Sequence, residues 1–266
     1  MFKTITFEMR GGVACVTLDR PQQLNALNPE MLDDLLAVID EIEASPALRA
    51  LVLTGNGRLF SAGVDLTTPF FMEDVSDTSI YSGKRLLDSQ HRIIRAIHEL
   101  AVPTLAAMNG HAVGGGGFGL AMACDLRFAV RDAQMWMVPG ALDVVQDFGL
   151  SWMVQRAVGP ARAFHMALTG YRVSAVEALG WGLVNEICDD LDGLDARVTA
   201  FVAQLNGMGG DATRMLKTVL RLGETSSLQQ QLDVEAIANG LAFQSEEFIT
   251  RKAAYMAADV KRKASS

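Results

Sequence analysis

The sequence predicts an α/β fold in which buried strands alternate with helices up to about Asp190. Apolar runs at residues 13–18 and 50–54 are typical of buried strands, and between them apolar residues recur at helical spacing. The chain has 266 residues, half of them apolar, which is enough to bury one large core with a smaller appendage.

Local signals mark the elements of the first half of the chain. A helix is predicted to begin after Asn28, whose side chain can cap it, with proline at the first helical position. A second, long helix is predicted over residues 84–100, and a buried strand follows at residues 104–108. Residues 120–124 continue as an apolar helical stretch.

The second half of the chain is predicted to be mainly helical. Ser174 and Glu177 have the spacing of a capping box, and Gly180 is expected to close that helix. After Cys188 the pattern is helical to the end. We therefore place one boundary near Asp190, which separates a core of residues 1–190 from a helical region of residues 191–266.

Composition argues against several classes of function. The net charge is −8, and no basic stripe interleaved with aromatic residues suggests a nucleic-acid partner. No apolar stretch of membrane length lacks glycine or charge, and the first residues do not form a signal peptide, so we expect a cytoplasmic protein without membrane association. The three cysteines occur singly and the four histidines form no metal-like cluster, so no bound metal is predicted.

Two segments about fifty residues apart, 59–66 and 109–119, are suited to exposing backbone N–H groups. Glycine lacks the Cβ that would keep a ligand away from the main chain, and the second segment leads into a helix whose first amides have no intrahelical acceptors. Two such loops, if they converge, would form an oxyanion hole. Each donor to a developing enolate or tetrahedral oxygen is worth roughly 3–4 kcal/mol.

A dinucleotide-binding loop is the alternative interpretation, because Gly114, Gly116 and Gly119 match G-x-G-x-x-G. The context argues against it. The first glycine of this pattern does not follow the preceding strand tightly, and the next strand is followed by Arg131 and Asp132 in a polar turn.

Five motifs together resemble the crotonase superfamily, that is, the enoyl-CoA hydratase/isomerase family. They are RPQQLNAL at 20–27, FSAGVDL at 60–66, the glycine run closing on ACDLR at 123–127, GYRVSAVEA at 170–178 and WGLVNE at 181–186. Their order covers nearly the whole chain. The resemblance implies a crotonase-like spiral of repeated ββα units with a helical C-terminal oligomerisation region, assembled as a homotrimer or homohexamer.

The resemblance also implies an acyl-CoA thioester whose carbonyl oxygen is held between two backbone amides. The first amide falls on Val64. The glycine run from Asn109 to Asp125 is one residue longer than the usual pattern, so counting back from Asp125 selects Gly116, whereas counting forward from Asn109 selects Gly115. We prefer Gly116, because the helix that follows fixes the direction of its amide.

Coenzyme A is implied as part of the substrate, and no separate cofactor is expected. Its predicted contacts are Leu24, Ala26, Ala62, Asp65 and Leu66. For the phosphates the chain offers Arg20 and the basic tail at 261–263, although such a tail is also typical of a solvated chain end. A mobile loop over the acyl-chain entrance is expected at 66–83, and the pocket wall is expected to include Phe70, Phe71, Met72 and Trp136.

The chain departs from the hydratase pattern at both catalytic glutamates. The first would fall on Gly119, or on Phe118 in the other register, and the second falls on Pro139. Adding water across a double bond requires a pair of carboxylates to hold and activate that water. Efficient hydratase chemistry is therefore not expected from these positions.

Asp147 lies where one branch of enoyl-CoA isomerases carries its single carboxylate. The alternative is a structural helix N-cap, because an apolar helical run begins at Leu150. Asp143 is a second acidic residue nearby, which is either a surface or loop-capping residue or the partner in a carboxylate pair. His111 is a further candidate, since it lies in the loop that leads to the glycine run.

The leading hypothesis is thus an enzyme that stabilises a thioester enolate with Val64 and Gly116 and migrates a double bond with Asp147 as acid and base. Three alternatives remain open. They are an enoyl-CoA hydratase of fatty acid β-oxidation, an acyl-transfer or hydrolytic enzyme with Asp147 as nucleophile, and a non-catalytic acyl-CoA-binding protein.

Overall fold

The computed structural model describes residues 2–45, 47–68, 87–138 and 144–264, with side chains described to residue 257. The strands are β1 (Ile5–Arg10), β2 (Val13–Leu18), β3 (Ala50–Gly55), β4 (Leu59–Ser61), β5 (Thr104–Met108), β6 (His111–Val113), β7 (Leu126–Val130), β8 (Gln134–Trp136), β9 (Val173–Ser174) and β10 (Glu186–Cys188). The α-helices are α1 (Pro29–Glu43), α2 (Asp88–Glu99), α3 (Leu120–Ala123), α4 (Leu150–Val158), α5 (Pro160–Thr169), α6 (Ala175–Trp181), α7 (Leu191–Asn206), α8 (Gly210–Gly223), α9 (Leu228–Phe243) and α10 (Glu246–Ala264).

From β3 to β8, consecutive strands alternate between two sheets. The larger sheet has the order β1-β2-β3-β5-β7-β10 and the smaller one β4-β6-β8-β9. Within the larger sheet only β1 and β2 are antiparallel, and in the smaller sheet only β8 and β9 are. Each repeat therefore places one strand in each sheet before a helix follows, which confirms the predicted α/β class.

Helix α1 forms as its sequence predicts. The Asn28 side chain accepts a hydrogen bond from the Met31 amide at 2.9 Å, and Pro29 takes the first helical position. The predicted apolar face is buried against the core, at Met31, Leu35, Val38 and Ile42. The long helix predicted from residue 84 is observed as α2 from Asp88, and residues 84–86 lie outside the described part of the chain.

Helix α6 has the predicted capping box, with both hydrogen bonds between Ser174 and Glu177 present. The prediction that Gly180 closes this helix is wrong. The chain adopts the left-handed conformation two residues later, at Gly182, with φ of +80°, and that residue ends the helix.

The chain forms two compact units, residues 1–202 and residues 203–266. The first contains both sheets and helices α1 to α6. The second contains α8, α9 and α10 together with the end of α7. In the described part of the chain, no helix combines the length and the apolar character needed to cross a membrane.

Candidate active site

The two glycine-containing segments converge in the structure. A Cβ placed on Gly116 would lie 3.0 Å from the backbone nitrogen of Val64 and 2.8 Å from the carbonyl carbon of Gly63. Gly63 itself has a φ of +97°, and a Cβ there would lie 2.9 Å from the carbonyl oxygen of Val113. Glycine is therefore required on both sides of this contact.

The backbone next to Val64 pairs with Leu27 as an isolated parallel bridge. The Leu27 amide donates to the Gly63 carbonyl and the Asp65 amide donates to the Leu27 carbonyl, each at 2.8 Å. These bonds turn the Val64 amide away from Leu27. Gly116 is the second residue of its helix, so its amide has no acceptor within that helix, and no described backbone carbonyl accepts from the Val64 amide. Both amides can therefore donate to a ligand oxygen.

A buried polar network fixes the first segment. The Asn25 side-chain amide donates to the carbonyl oxygens of Asn56 and Leu59 at 2.8 and 2.9 Å. The Ser61 hydroxyl donates to the Asn25 carbonyl at 2.8 Å and accepts from the Gly63 amide at 3.2 Å. Asn25 and Ser61 are fully buried. These two positioning residues were given no role in the sequence analysis.

The second segment contains a π-helix at Gly115–Gly119. A π-helical turn holds more residues than an α-helical turn, so it can accommodate the additional residue that the sequence resemblance implies in this glycine run. Its first two glycines contact different groups. Gly116 lies against Val64, whereas a Cβ on Gly115 would lie only 1.9 Å from Oδ1 of Asp147.

The Asp147 carboxylate is presented by an unusual chain reversal. Phe148, which is fully buried, has a φ of +50° and Gly149 has a φ of +69°, and α4 begins at Leu150. A left-handed conformation is costly for a residue such as Phe148 and is typical of functional sites. The Asp147 backbone carbonyl accepts from the Leu150 amide at 3.1 Å. The N-cap alternative for the Asp147 side chain is wrong, because Gly149 is the N-cap residue and no side chain caps the helix.

Burial raises the pKa of the Asp147 carboxyl above its ordinary value. A hydrogen bond from its own backbone amide and the charge of His91 act in the opposite direction but are smaller. A carboxylate with a raised pKa in a partly buried position is a better proton acceptor than an ordinary surface aspartate.

The position of the first hydratase glutamate has no room for a side chain. A Cβ on Gly119 would lie 2.6 Å from the Cβ of Phe148. Phe118, the position in the other register, is itself fully buried. Pro139 and Asp143, the other two positions considered from the sequence, lie outside the described residues, as do Phe70, Phe71 and Met72.

The structure brings the predicted coenzyme A contacts onto two adjacent segments. The Ala62 amide donates to the Leu24 carbonyl at 2.9 Å, which joins residues 24–27 to residues 62–66. The five predicted contacts on these segments are Leu24, Ala26, Ala62, Asp65 and Leu66. Arg20 donates to Asp65 at 2.9 Å and to the Ala26 carbonyl at 2.5 Å, so its guanidinium is engaged within the protein.

His111 has a structural contact at the edge of the smaller sheet. Its Nδ1 accepts from the Gln134 amide at 3.1 Å, and its ring packs edge-on against Trp136. Burial, with a smaller effect of Arg172, lowers the pKa of His111 and keeps the ring neutral enough to accept that bond. Across the described ranges, no group of three or more His, Cys, Asp or Glu side chains is placed to hold a metal ion.

A cavity of about 330 Å³ lies between α2 and α4, next to the Asp147 turn. The lining residues are His91, Ile94, Arg95 and His98 from α2, and Gly149, Trp152 and Met153 from the start of α4. Ile94 approaches Gly149, since a Cβ there would lie 3.5 Å from its Cγ2. His91 and His98, seven residues apart, share one helix face.

Comparisons with known proteins show the family and the fold. A sequence model described as enoyl-CoA hydratase/isomerase matches residues 8–261. A 1,2-epoxyphenylacetyl-CoA isomerase of Escherichia coli is 31% identical over 97% of both chains, and a 4-chlorobenzoyl coenzyme A dehalogenase-2 of Arthrobacter is 32% identical over 85% of this chain and 80% of that one. The crystal structure of an enoyl-CoA hydratase from Bacillus anthracis superposes with a TM-score of 0.87, at 25% identity and 96% coverage of both chains.

Proposed function

The chain belongs to the enoyl-CoA hydratase/isomerase family of acyl-CoA-processing enzymes, and from this premise we propose that it migrates the double bond of an enoyl-CoA thioester. The Val64 and Gly116 amides hold the thioester oxygen as the enolate forms. Asp147 takes the α-proton of a β,γ-unsaturated thioester and returns it at the γ-carbon. The same group thus acts as base and then as acid.

One observation supports this proposal: two consecutive glycines contact the base and one of the oxyanion donors. The Asp147 carboxylate packs against Gly115, and Gly116 packs against Val64. Adjacent Cα atoms are only about 3.8 Å apart. A thioester oxygen between Val64 and Gly116 would therefore place the neighbouring carbons beside Asp147, whose raised pKa suits it to accept a proton from carbon.

Hydration is less well supported by the same geometry. It needs two carboxylates around one water, but Phe148 fills the space beside Gly119 where the family pattern would place the first. A single carboxylate is sufficient for a proton shift between two carbons of the same substrate.

A second candidate is nucleophilic attack by Asp147, which the similarity to a protein named as a dehalogenase favours. In that reaction a carboxylate oxygen forms a bond to an aryl carbon of the thioester while halide leaves, and water then hydrolyses the aryl ester. A covalent adduct on the peptide that contains Asp147 would be detected by mass spectrometry. Isomerisation gives no such adduct.

The test is incubation with β,γ-enoyl-, α,β-enoyl- and dienoyl-CoA thioesters in deuterated water, followed by ultraviolet absorbance and mass spectrometry. We expect a shifted double bond with deuterium at the α- or γ-carbon. Asp147→Asn should lower turnover by roughly 10²–10⁴-fold while thioester binding survives. Unchanged turnover in Asp147→Asn would rule out Asp147 as the base. Gain of the mass of one water by the α,β-enoyl thioester would support the hydratase, and binding without any reaction would favour a non-catalytic protein.

We also propose that the predicted homotrimer or homohexamer forms through the C-terminal helices. Support comes from α9, which has no buried residue within its own chain and exposes large apolar side chains along its length, at Leu228, Leu232, Ile237, Leu241 and Phe243. Such a surface is typical of subunit contacts. Light scattering coupled to size-exclusion chromatography should give a mass three or six times that of the chain.

A further inference from the structure

The cavity between α2 and α4 has a basic wall. His91, Arg95 and His98 lie at positions i, i+4 and i+7 of α2, so their side chains share one face of the helix, and all three line the cavity. None of the described residues that line it is acidic. Arg95 forms no ion pair with any described residue, so its guanidinium is available to an external anion.

The rest of the lining is mainly apolar and aromatic. Trp152 and Met153 contribute it from α4, and Ile94 adds an apolar side chain from α2. Trp152 is itself held in place, with the His98 ring edge-on at 5.7 Å and the Arg156 guanidinium over its face at 3.9 Å. A pocket with one apolar wall and a few convergent polar groups, of this volume, is typical of a small-molecule site.

The cavity lies next to the reacting carbons that the proposed function assigns to Asp147. Gly149, two residues after Asp147, is part of its wall, and His91 at its near end is close enough to act on the Asp147 charge. Arg95 lies four residues, about 6 Å, further along α2. An acyl chain that passes Asp147 into this cavity would meet the Arg95 guanidinium, which forms no ion pair with a described residue.

We propose that the acyl group ends in a carboxylate that binds Arg95, which makes the substrates CoA monothioesters of unsaturated dicarboxylic acids. This inference rests on the proposed function for the position of the thioester. A planar guanidinium binds a carboxylate through two parallel hydrogen bonds, which gives the geometry as well as the charge. The rise of about 6 Å from His91 to Arg95 equals about four to five carbon–carbon bonds beyond the carbons beside Asp147, which gives chains of about six to ten carbons.

The test begins with binding rather than turnover. Dissociation constants are measured by calorimetry for saturated, unreactive thioesters of about six to ten carbons, each in a carboxylate-terminated and a methyl-terminated form. The wild-type protein should bind one length of the carboxylate-terminated series at least about tenfold more tightly than its methyl-terminated counterpart. Arg95→Gln should abolish that preference, and Arg95→Lys should retain part of it. Arg92→Gln, an exposed arginine of the same helix outside the cavity wall, should leave it unchanged.

The outcomes separate this inference from the function on which it rests. Equal binding of both series at every length, or a carboxylate preference that Arg95→Gln retains, would overturn the proposal that a terminal carboxylate binds Arg95. Deuterium exchange into methyl-terminated β,γ-enoyl thioesters without any carboxylate preference would overturn it as well and leave the isomerase standing. A preference that depends on Arg95, without exchange in either series, would instead support the binding mode and contradict the isomerase.

Discussion

Replacement of Gly115 by alanine should disable proton transfer while leaving thioester binding largely intact. The new Cβ would lie 1.9 Å from Oδ1 of Asp147 and 2.5 Å from Cδ2 of Phe148. Real Cβ contacts are longer than 3.0 Å, so the carboxylate must move by about 1 Å or more. Phe148 cannot retreat easily, because it is fully buried in a left-handed conformation.

A displacement of the Asp147 carboxylate by about 1 Å should affect both the reaction rate and the stability of the protein. A reacting group misplaced by about 1 Å loses on the order of 10²-fold in rate, and overpacking a buried contact costs about 1–3 kcal/mol of unfolding free energy. The assay is deuterium exchange and isomerisation of a β,γ-enoyl-CoA, together with urea unfolding and calorimetric binding of a saturated thioester. We expect a rate loss near 10²-fold with binding changed by only a few-fold.

The control is Gly180→Ala in α6, where a Cβ would meet no atom within 4 Å. That variant should keep full activity and gain about 0.4–1 kcal/mol, since alanine restricts the unfolded chain. If Gly115→Ala retained activity close to that of Gly180→Ala, the assignment of Asp147 as a base held against Gly115 would be refuted.

Three further outcomes are expected. Because burial raises the pKa of Asp147, the folded state binds this proton more tightly than the unfolded chain, so the ionised carboxylate costs stability that is recovered as pH falls. Asp147→Asn should therefore raise the urea midpoint at neutral pH but not in acid. The apparent pKa of the acid limb of the kcat/KM profile of the wild type should lie above the ordinary value of 3.8, and an apparent pKa below 3.8 would contradict the raised pKa. Ser61→Ala leaves the Asn25 carbonyl and Gly63 amide without their partner and should cost about 1–3 kcal/mol in urea unfolding, whereas an unchanged midpoint would show that this network is not needed. Arg20→Met removes the ion pair of the buried Asp65 carboxylate, which then keeps only its two hydrogen bonds from Thr67, and should cost about 1.5–3 kcal/mol in thermal unfolding; an unchanged midpoint would show that the Thr67 bonds alone are sufficient.

The elements that sequence predicted correctly are those whose signals are local. The cap at Asn28 and the capping box at Ser174 depend on side chains within one helical turn, and both are present. The end of α6 was predicted two residues early, because Gly180 and Gly182 are equally able to adopt a left-handed conformation. Only packing after the helix decides which of them does.

The part of the candidate site that could be predicted from the sequence is the close backbone contact that glycine residues permit. The convergence of Gly116 on Val64 follows from residues that lack a Cβ. The orientation of Asp147 was not predictable, since it depends on a left-handed Phe148, a conformation that the residue type disfavours. The network of Asn25 and Ser61 joins segments far apart in sequence, and its only local signal was two polar residues within largely apolar stretches.

The π-helix at Gly115–Gly119 has an evolutionary consequence. In an α-helix each residue turns the chain by about 100°, so one inserted residue would reorient every side chain after it. A wide turn absorbs the insertion locally, and the flanking anchors stay in place. The Asn109 side chain accepts from the Gly55 amide at 3.1 Å, and Asp125 accepts from the Thr104 amide at 2.8 Å. A single inserted codon can therefore change which side chain faces the proposed thioester site without disturbing either sheet. The catalytic groups of this fold can thus be changed by an insertion as well as by a substitution.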